Sequence, residues 1–170
     1  MNKSNRSKLF ISVIRSNKGI IYKIANSYCK DSDDRNDLVQ EIILKLWQSF
    51  DTYNEEYKHS TWIYRIALNT AISNYRKEKV RKKHFTPISE HFSAFQDAPN
   101  TNEIEYKFNL LQQFISELKE IDKAIMLLYL EEKKHNEIAE ILGISETNVG
   151  TKISRIKMTL TEKFSKTKNL

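Results

Sequence analysis

Three glycines and two prolines are all that this 170-residue chain holds of the two strongest helix breakers. Such scarcity, beside many Leu, Ile, Lys and Glu, leaves a turn-rich fold without its turns and predicts helix nearly throughout. A single cysteine, Cys29, rules out an intramolecular disulfide and a thiolate metal cluster. In its apolar setting it reads as a small core residue. The four histidines (His59, His84, His91, His135) are scattered without ligand spacing, so no metal site is expected. No apolar run approaches membrane-spanning length. Behind Lys3, Arg6 and Lys8, the run Leu9 to Ile14 is cut by Arg15, too short for a signal peptide. A cytoplasmic protein without membrane insertion is expected. Neither an activated nucleophile nor a glycine-rich phosphate loop occurs, which argues against an enzyme and calls for no cofactor.

What is present is charge, unevenly placed. The net charge is +6. Tyr75 to His84 holds six Lys/Arg against one Glu, and Thr151 to Leu170 again six against one, so each stretch carries +5 and the remaining 140 residues −4. Two basic patches on an otherwise acidic chain suggest two contacts with a polyanion. Solvated, lysine-rich helix ends would look the same on charge alone.

Hydrophobic residues make up 39% of the chain and charged residues 29%, enough for modest cores. Leu9, Val13, Ile20, Ile24 and Tyr28 have loose helical spacing, with an interruption expected near Gly19. In the polar run Asp31-Ser32-Asp33-Asp34, Asp34 is the expected cap of a second helix. That helix carries two adjoining apolar stripes, Leu38-Ile42-Leu46 and Val39-Ile43-Trp47-Phe50, which imply burial on a broad face. After a polar loop from Asp51 to Ser60, Ser60 or Thr61 can cap a third helix from Trp62 to about Lys79. Ile63, Ile66, Ala67 and Thr70 line one side of it, and Tyr64, Leu68 and Ile72 another. Its third face, Trp62, Arg65, Asn69, Ser73 and Arg76, mixes groups that stack on bases with groups that pair with phosphates. An ordinary boundary face with a half-buried tryptophan is the plainer alternative. The basic run at the end of the helix favours nucleic acid.

From Phe85 to Asn102 the periodicity vanishes. Pro87 and Pro99 fall here with Ser, Thr, Asp and Asn, so the stretch reads as a flexible linker, though Phe85, Phe92 and Phe95 are unusual for one. The organisation is then an N-terminal helical domain (1–84), a linker (85–103) and a C-terminal domain (104–170). In the last, Phe108, Leu111, Ile115 and Leu118 form a stripe with Phe114 beside it. Asp122 can cap a helix bearing Ile125, Leu128 and Tyr129, Glu131 to Lys134 turns, and Asn136 can cap the next helix.

The segment His135 to Val149 is the most specific local signal. Ala139 is small where two helices must cross. Gly143 supplies the positive dihedral of a tight turn, Ser145 caps the following helix, and Val149 and Ile153 face inward. This is the spacing of a helix-turn-helix, whose second helix enters the major groove. Facing outward are Glu146, Thr147, Asn148, Thr151, Lys152, Arg155 and Lys157. Those near the start would reach base edges, and Lys152, Arg155 and Lys157 would hold phosphates. Gly150 is costly in mid-helix, by roughly 1 kcal/mol against alanine, unless it permits close approach of the DNA backbone.

With both halves read, the chain resembles the small two-domain sigma factors of bacterial RNA polymerase, the extracytoplasmic-function (ECF) type. The resemblance rests on Asp37 to Trp47 (Asp-Leu-Val-Gln-Glu-Ile-Ile-Leu-Lys-Leu-Trp), Ser60 to Asn69 (Ser-Thr-Trp-Ile-Tyr-Arg-Ile-Ala-Leu-Asn), and Glu137 to Ser145 with Val149 and Ser154-Arg155-Ile156. It covers almost the whole chain. It implies that Asp37, Gln40, Glu41 and Lys45 dock on the clamp coiled coil of core RNA polymerase. It implies that Trp62, Arg65, Asn69, Ser73 and Arg76, with the loop Tyr53 to Ser60, open and read the minus-ten promoter element, taking a flipped base near that loop. Thr147, Asn148, Thr151, Lys152, Arg155 and Lys157 would read the minus-thirty-five element as duplex. The linker would run toward the polymerase active site. Two departures bear on the fit to polymerase: Asn36-Asp37 stands where the family has an acidic pair, and Ile43 where phenylalanine is common. With no metal-binding segment or extra domain read, regulation is expected from an anti-sigma factor, and the free protein is expected to be monomeric. The competing reading is a stand-alone helix-turn-helix regulator binding duplex DNA as a dimer; a helical adaptor without a DNA role is a third.

Overall fold

A computed structural model of the chain describes residues 3–54, 56–85 and 103–167. The order of elements is α1 (Lys3–Tyr28), α2 (Ser32–Ser49), a 3₁₀ turn (Phe50–Thr52), α3 (His59–Phe85), α4 (Glu103–Ser116), α5 (Glu120–Leu130), α6 (His135–Leu142) and α7 (Glu146–Thr167). Among the described residues there is no strand, so the all-α expectation holds. Pro87, Phe92, Phe95 and Pro99 of the expected linker lie outside the described residues.

The first three helices pack on one another. Leu38, Ile42 and Leu46 are fully buried and Val39 nearly so, while Ile43 and Trp47 of the second stripe are half-buried. From α3 come Ile63, Tyr64, Ala67, Leu68, Thr70 and Ile72, all buried as their spacing predicts. α1 runs unbroken through Gly19, contrary to the expected interruption. A glycine in mid-helix costs about 1 kcal/mol, which the burial of Val13, Ile21 and Ile24 on either side outweighs. Leu9 is exposed and Phe10 takes the inward place, edge-on to Trp47 (5.1 Å) and Phe50 (5.3 Å). Arg6 ties the start of α1 to the end of α2. Its guanidinium lies 4.2 Å from the Trp47 ring centre and 2.6 Å from the Asp51 carboxylate.

Helix starts are displaced from their expected places. Asp31, not Asp34, caps α2, its carboxylate accepting from Asp33 N (2.8 Å) and Asp34 N (3.3 Å). α3 begins at His59, ahead of Ser60 and Thr61, and continues to Phe85 rather than ending near Lys79. The basic run is thus carried on helix. α5 begins at Glu120, which places Asp122 inside its first turn, and α6 begins at His135, one residue before Asn136. There the Glu137 carboxylate reaches back to accept from Lys134 N at 2.9 Å, a bond that holds its pKa below the usual carboxylate value.

The C-terminal half centres on Ile125, Leu128, Ile138, Ile141 and Val149, with Phe114 and Ile115 from α4. Phe114 meets Phe164 of α7 edge-to-face at 5.0 Å. Phe108, expected on the inner stripe, is 56% exposed, because α4 is covered only toward its C-terminal end.

The two halves also touch. α5 and α6 lie against α3, and the buried apolar residues form one continuous cluster. Polar contacts reinforce this seam: the Tyr28 hydroxyl donates to the Glu120 carbonyl (2.7 Å), Arg76 pairs with the Glu120 carboxylate (2.9 Å), and Lys23 pairs with Glu131. The hydrogen bond from its own backbone N–H, and next the bond from Arg76, lower the Glu120 pKa.

Candidate nucleic-acid interface

The turn between α6 and α7 is built as its residues demand. Gly143 has φ +68°, in the left-handed region that favours glycine. The Ala139 carbonyl accepts from both Gly143 N (2.9 Å) and Ile144 N (3.1 Å), closing α6. Ser145 Oγ accepts from Asn148 N at 3.2 Å, capping α7, and Val149 and Ile153 are buried beneath. This fixes the outer face of α7 against a rigid support.

On that face Glu146, Thr147, Asn148, Thr151 and Arg155 are exposed. The Thr151 hydroxyl donates to the Thr147 carbonyl (3.0 Å), leaving both side chains at the surface. Two of the expected phosphate holders are engaged within the protein. Lys152 is half-buried, with its ammonium 2.7 Å from the Asp122 carboxylate. Lys157 donates to the Tyr129 hydroxyl (2.6 Å) and sits 4.3 Å from that ring's centre. A Cβ at Gly150 would come within 3.7 Å of His135 Nδ1, an ordinary contact.

In the N-terminal half, Arg65, Asn69, Ser73 and Arg76 are exposed along one side of α3. Trp62 is half-buried at its start, 5.1 Å from Tyr53 and 6.0 Å from Phe50, measured between ring centres. His59 stacks on Tyr53 at 4.8 Å and 21°. The Tyr53 hydroxyl donates to the Tyr57 carbonyl, which folds the loop back over itself. The row therefore begins in an aromatic cluster and ends in the cations Arg76, Lys77, Lys79 and Arg81, all exposed. The sequence pattern marks the loop but not His59 as a ring stacked in it. The aromatic interleaving Tyr53, His59, Trp62 was the available signal.

On α2, Asp37 and Gln40 are exposed, while Glu41 and Lys45 are half-buried and paired with each other at 3.1 Å. Beside them an open apolar groove of about 450 Å³, lined by Phe10, Ile11, Ile43, Leu44 and Trp47, separates α1 from α2. Among the described residues no group of His, Cys, Asp and Glu could hold a metal ion, and no helix is long and apolar enough to cross a membrane.

Comparison with known proteins matches both halves. Residues 13–81 match the Sigma-70 region 2 family and residues 108–160 match Sigma-70, region 4. The chain is similar to RNA polymerase sigma factor SigV of Bacillus subtilis (strain 168), 33% identical over 157 residues that cover 91% of each chain. It is 27% identical to ECF RNA polymerase sigma factor SigW of the same organism, over 86% of this chain and 83% of the relative. Among solved structures, CnrH in complex with the cytosolic domain of CnrY superposes with a TM-score of 0.66 at 17% identity, over 94% of this chain and 89% of that one. The sigma factor RpoE in complex with the anti-sigma factor NepR from Bartonella quintana gives the same TM-score at 19% identity, over 92% and 94%. At these identities the structures establish the fold; the family rests on the sequence matches. A helix-turn-helix capped by Ser145, a second polar row on α3, and family matches to both halves in the right order lead to one conclusion: the chain belongs to the sigma-70 family, as a small ECF-type sigma factor that directs promoter recognition in transcription initiation.

Proposed function

We propose that residues 1–84 and 104–170 act as two reading domains joined by a linker (85–103), and that each contacts a different promoter element. Trp62, Arg65, Asn69, Ser73 and Arg76 engage the minus-ten element as it opens, with the Tyr53–His59–Trp62 cluster offering ring faces to an unstacked base. Thr147, Asn148 and Thr151 face base edges of the minus-thirty-five duplex, and Arg155 holds a phosphate. Lys152 and Lys157 contribute once they leave Asp122 and Tyr129. Asp37, Gln40, Glu41 and Lys45 form the docking surface for core RNA polymerase. The protein performs no catalysis of its own, works in the cytoplasm as a monomer, and is held in check by an anti-sigma factor.

The observation that carries this reading is the pair of exposed polar rows, each seated on a buried helical scaffold within one chain. A single-element regulator needs only one. The test is run-off transcription with sigma-free core polymerase on the DNA upstream of the protein's own gene. Asn69→Ala should reduce open-complex formation while sparing polymerase binding. Undiminished opening across several promoters would remove Asn69 from the reading row. Failure of the wild-type chain to bind core polymerase at all would favour a dimeric duplex-binding regulator.

A further inference from the structure

Gly150 is the fifth residue of α7, and the backbone does not call for glycine there: among the described residues only Gly143 is a glycine with positive φ. A helical position without a side chain leaves a gap. Here the gap is taken by a ring from the neighbouring helix. His135, the first residue of α6, places Nδ1 3.7 Å and Cε1 3.9 Å from the point that a Cβ on Gly150 would hold. A methyl group would still fit beside the ring, whereas a longer side chain would have to displace it. α6 thus lends α7 a side chain where α7 has none.

That ring has no task inside the fold. His135 is exposed, and among the described residues its imidazole takes part in no hydrogen bond or ion pair. The start of α6 is closed by other groups: the Glu137 carboxylate accepts from Lys134 N (2.9 Å), and Asn136 Oδ1 accepts from Glu137 N (2.9 Å).

Its position gives it one outside. Gly150 is half-buried, at the margin between the exposed face of α7 and the buried Val149 and Ile153. Thr147 and Ser154, three residues before and four after, lie on the same side of the helix and are exposed. In a helix-turn-helix the second helix occupies the major groove while the first crosses the backbone. The margin of α7 that faces α6 is therefore where phosphates pass. An imidazole carries at least one N–H donor in either protonation state.

We infer that His135 is a DNA-contacting residue that donates an N–H to a backbone phosphate of the minus-thirty-five duplex, in place of the side chain missing at Gly150. The inference rests on the two-element reading above. Such a contact names no base; it fixes the register at which Thr147, Asn148 and Thr151 meet theirs.

The experiment uses the full chain bound to core polymerase and a fluorescent duplex of the DNA upstream of its own gene, titrated by anisotropy. His135→Ala, His135→Phe and His135→Gln are compared with wild type and with Arg155→Ala, with circular dichroism as the check on folding. His135→Phe keeps a ring against Gly150 but has no donor, so it should weaken binding about tenfold, as His135→Ala does. His135→Gln restores an N–H and should recover most of that loss. Duplexes carrying one uncharged methylphosphonate linkage then locate the contact: a single linkage should weaken wild type and be silent in His135→Ala. If His135→Phe binds like wild type, the ring only packs and the inference is overturned. A base-pair change, rather than a linkage, made silent by His135→Ala would overturn the phosphate assignment. Should His135→Ala lose its helices, the Phe and Gln variants decide. Weakening by Arg155→Ala with none by any His135 variant overturns this inference alone. If wild type does not bind the duplex, or Arg155→Ala binds as well as wild type, the minus-thirty-five reading itself fails.

Discussion

Gly150 lies inside α7, the fifth of its 22 residues, where glycine is about 0.8–1.0 kcal/mol less favourable than alanine. A Cβ placed there would meet His135 Nδ1 at 3.7 Å and Cε1 at 3.9 Å, both ordinary van der Waals distances. No clash offsets the helical gain, so Gly150→Ala should stabilise the protein by about 1 kcal/mol. Thermal melts at the helical dichroism band would read this as a rise of about 4–8 °C if the C-terminal half melts by itself, or about 2–4 °C if the continuous core melts the chain as one unit. Gly143→Ala is the matched opposite. Its Cβ would meet nothing within 4 Å, but φ +68° strains an L side chain, so a loss of about 1–2 kcal/mol is expected from the backbone alone. Two changes of the same chemistry, seven residues apart, should move stability in opposite directions. A loss for Gly150→Ala would refute the reasoning, since it would mean that α6 and α7 cross more tightly than described. A gain in stability together with a tenfold loss of upstream duplex binding would show that the missing side chain makes room for the DNA backbone.

The remaining predictions concern charge, protonation and packing. Arg155→Ala should weaken upstream duplex binding and flatten its salt dependence by about one unit of slope; Lys152→Ala should do less, because Asp122 already holds that ammonium. Filter or anisotropy titrations at several salt concentrations check this, and equal effects would refute it. Burial, and next the neighbouring Glu131 carboxylate, push the Tyr64 phenol up to about 12, against about 10 when unfolded. Its contribution to stability is therefore complete below about pH 10 and is lost as the pH rises toward about 12. Urea melts across that window should show a fall that Tyr64→Phe partly removes; identical slopes would refute the assignment. Leu128→Ala, at a fully buried site, should lower unfolding stability by about 2–5 kcal/mol in the same assay.

Where one residue type does one physical job, the sequence was easy to read. The first stripe of α2, Leu38-Ile42-Leu46, is buried outright, and Gly143 and Ser145 make the turn and the cap that their side chains suit. Asp31-Ser32-Asp33-Asp34 offers four oxygen-bearing side chains for one cap, and periodicity does not choose among them. The start of α3 slipped for the same reason: Ser60 and Thr61 looked like caps, and neither ends the helix. Phe108 was misplaced because a stripe shows which residues share a face, not how far along the helix a neighbour extends. The seam left no sequence signal. Glu120 lies on no motif and no apolar stripe, and its partners Tyr28 and Arg76 come from the other half of the chain. Contacts between elements far apart in sequence have no local period.

α7 is one uninterrupted rod whose far end is clamped to α4 by Phe164 on Phe114, and to the residue just past α4 by Lys163 on Glu117. From Phe164 to Asn148 that rod is about 24 Å long at 1.5 Å per residue. A tilt of about 8° at the clamp would move Asn148 by about 3.4 Å. The Phe114–Phe164 pair therefore shares with Val149 and Ile153, buried beneath the other end, the task of fixing where the exposed face of α7 stands.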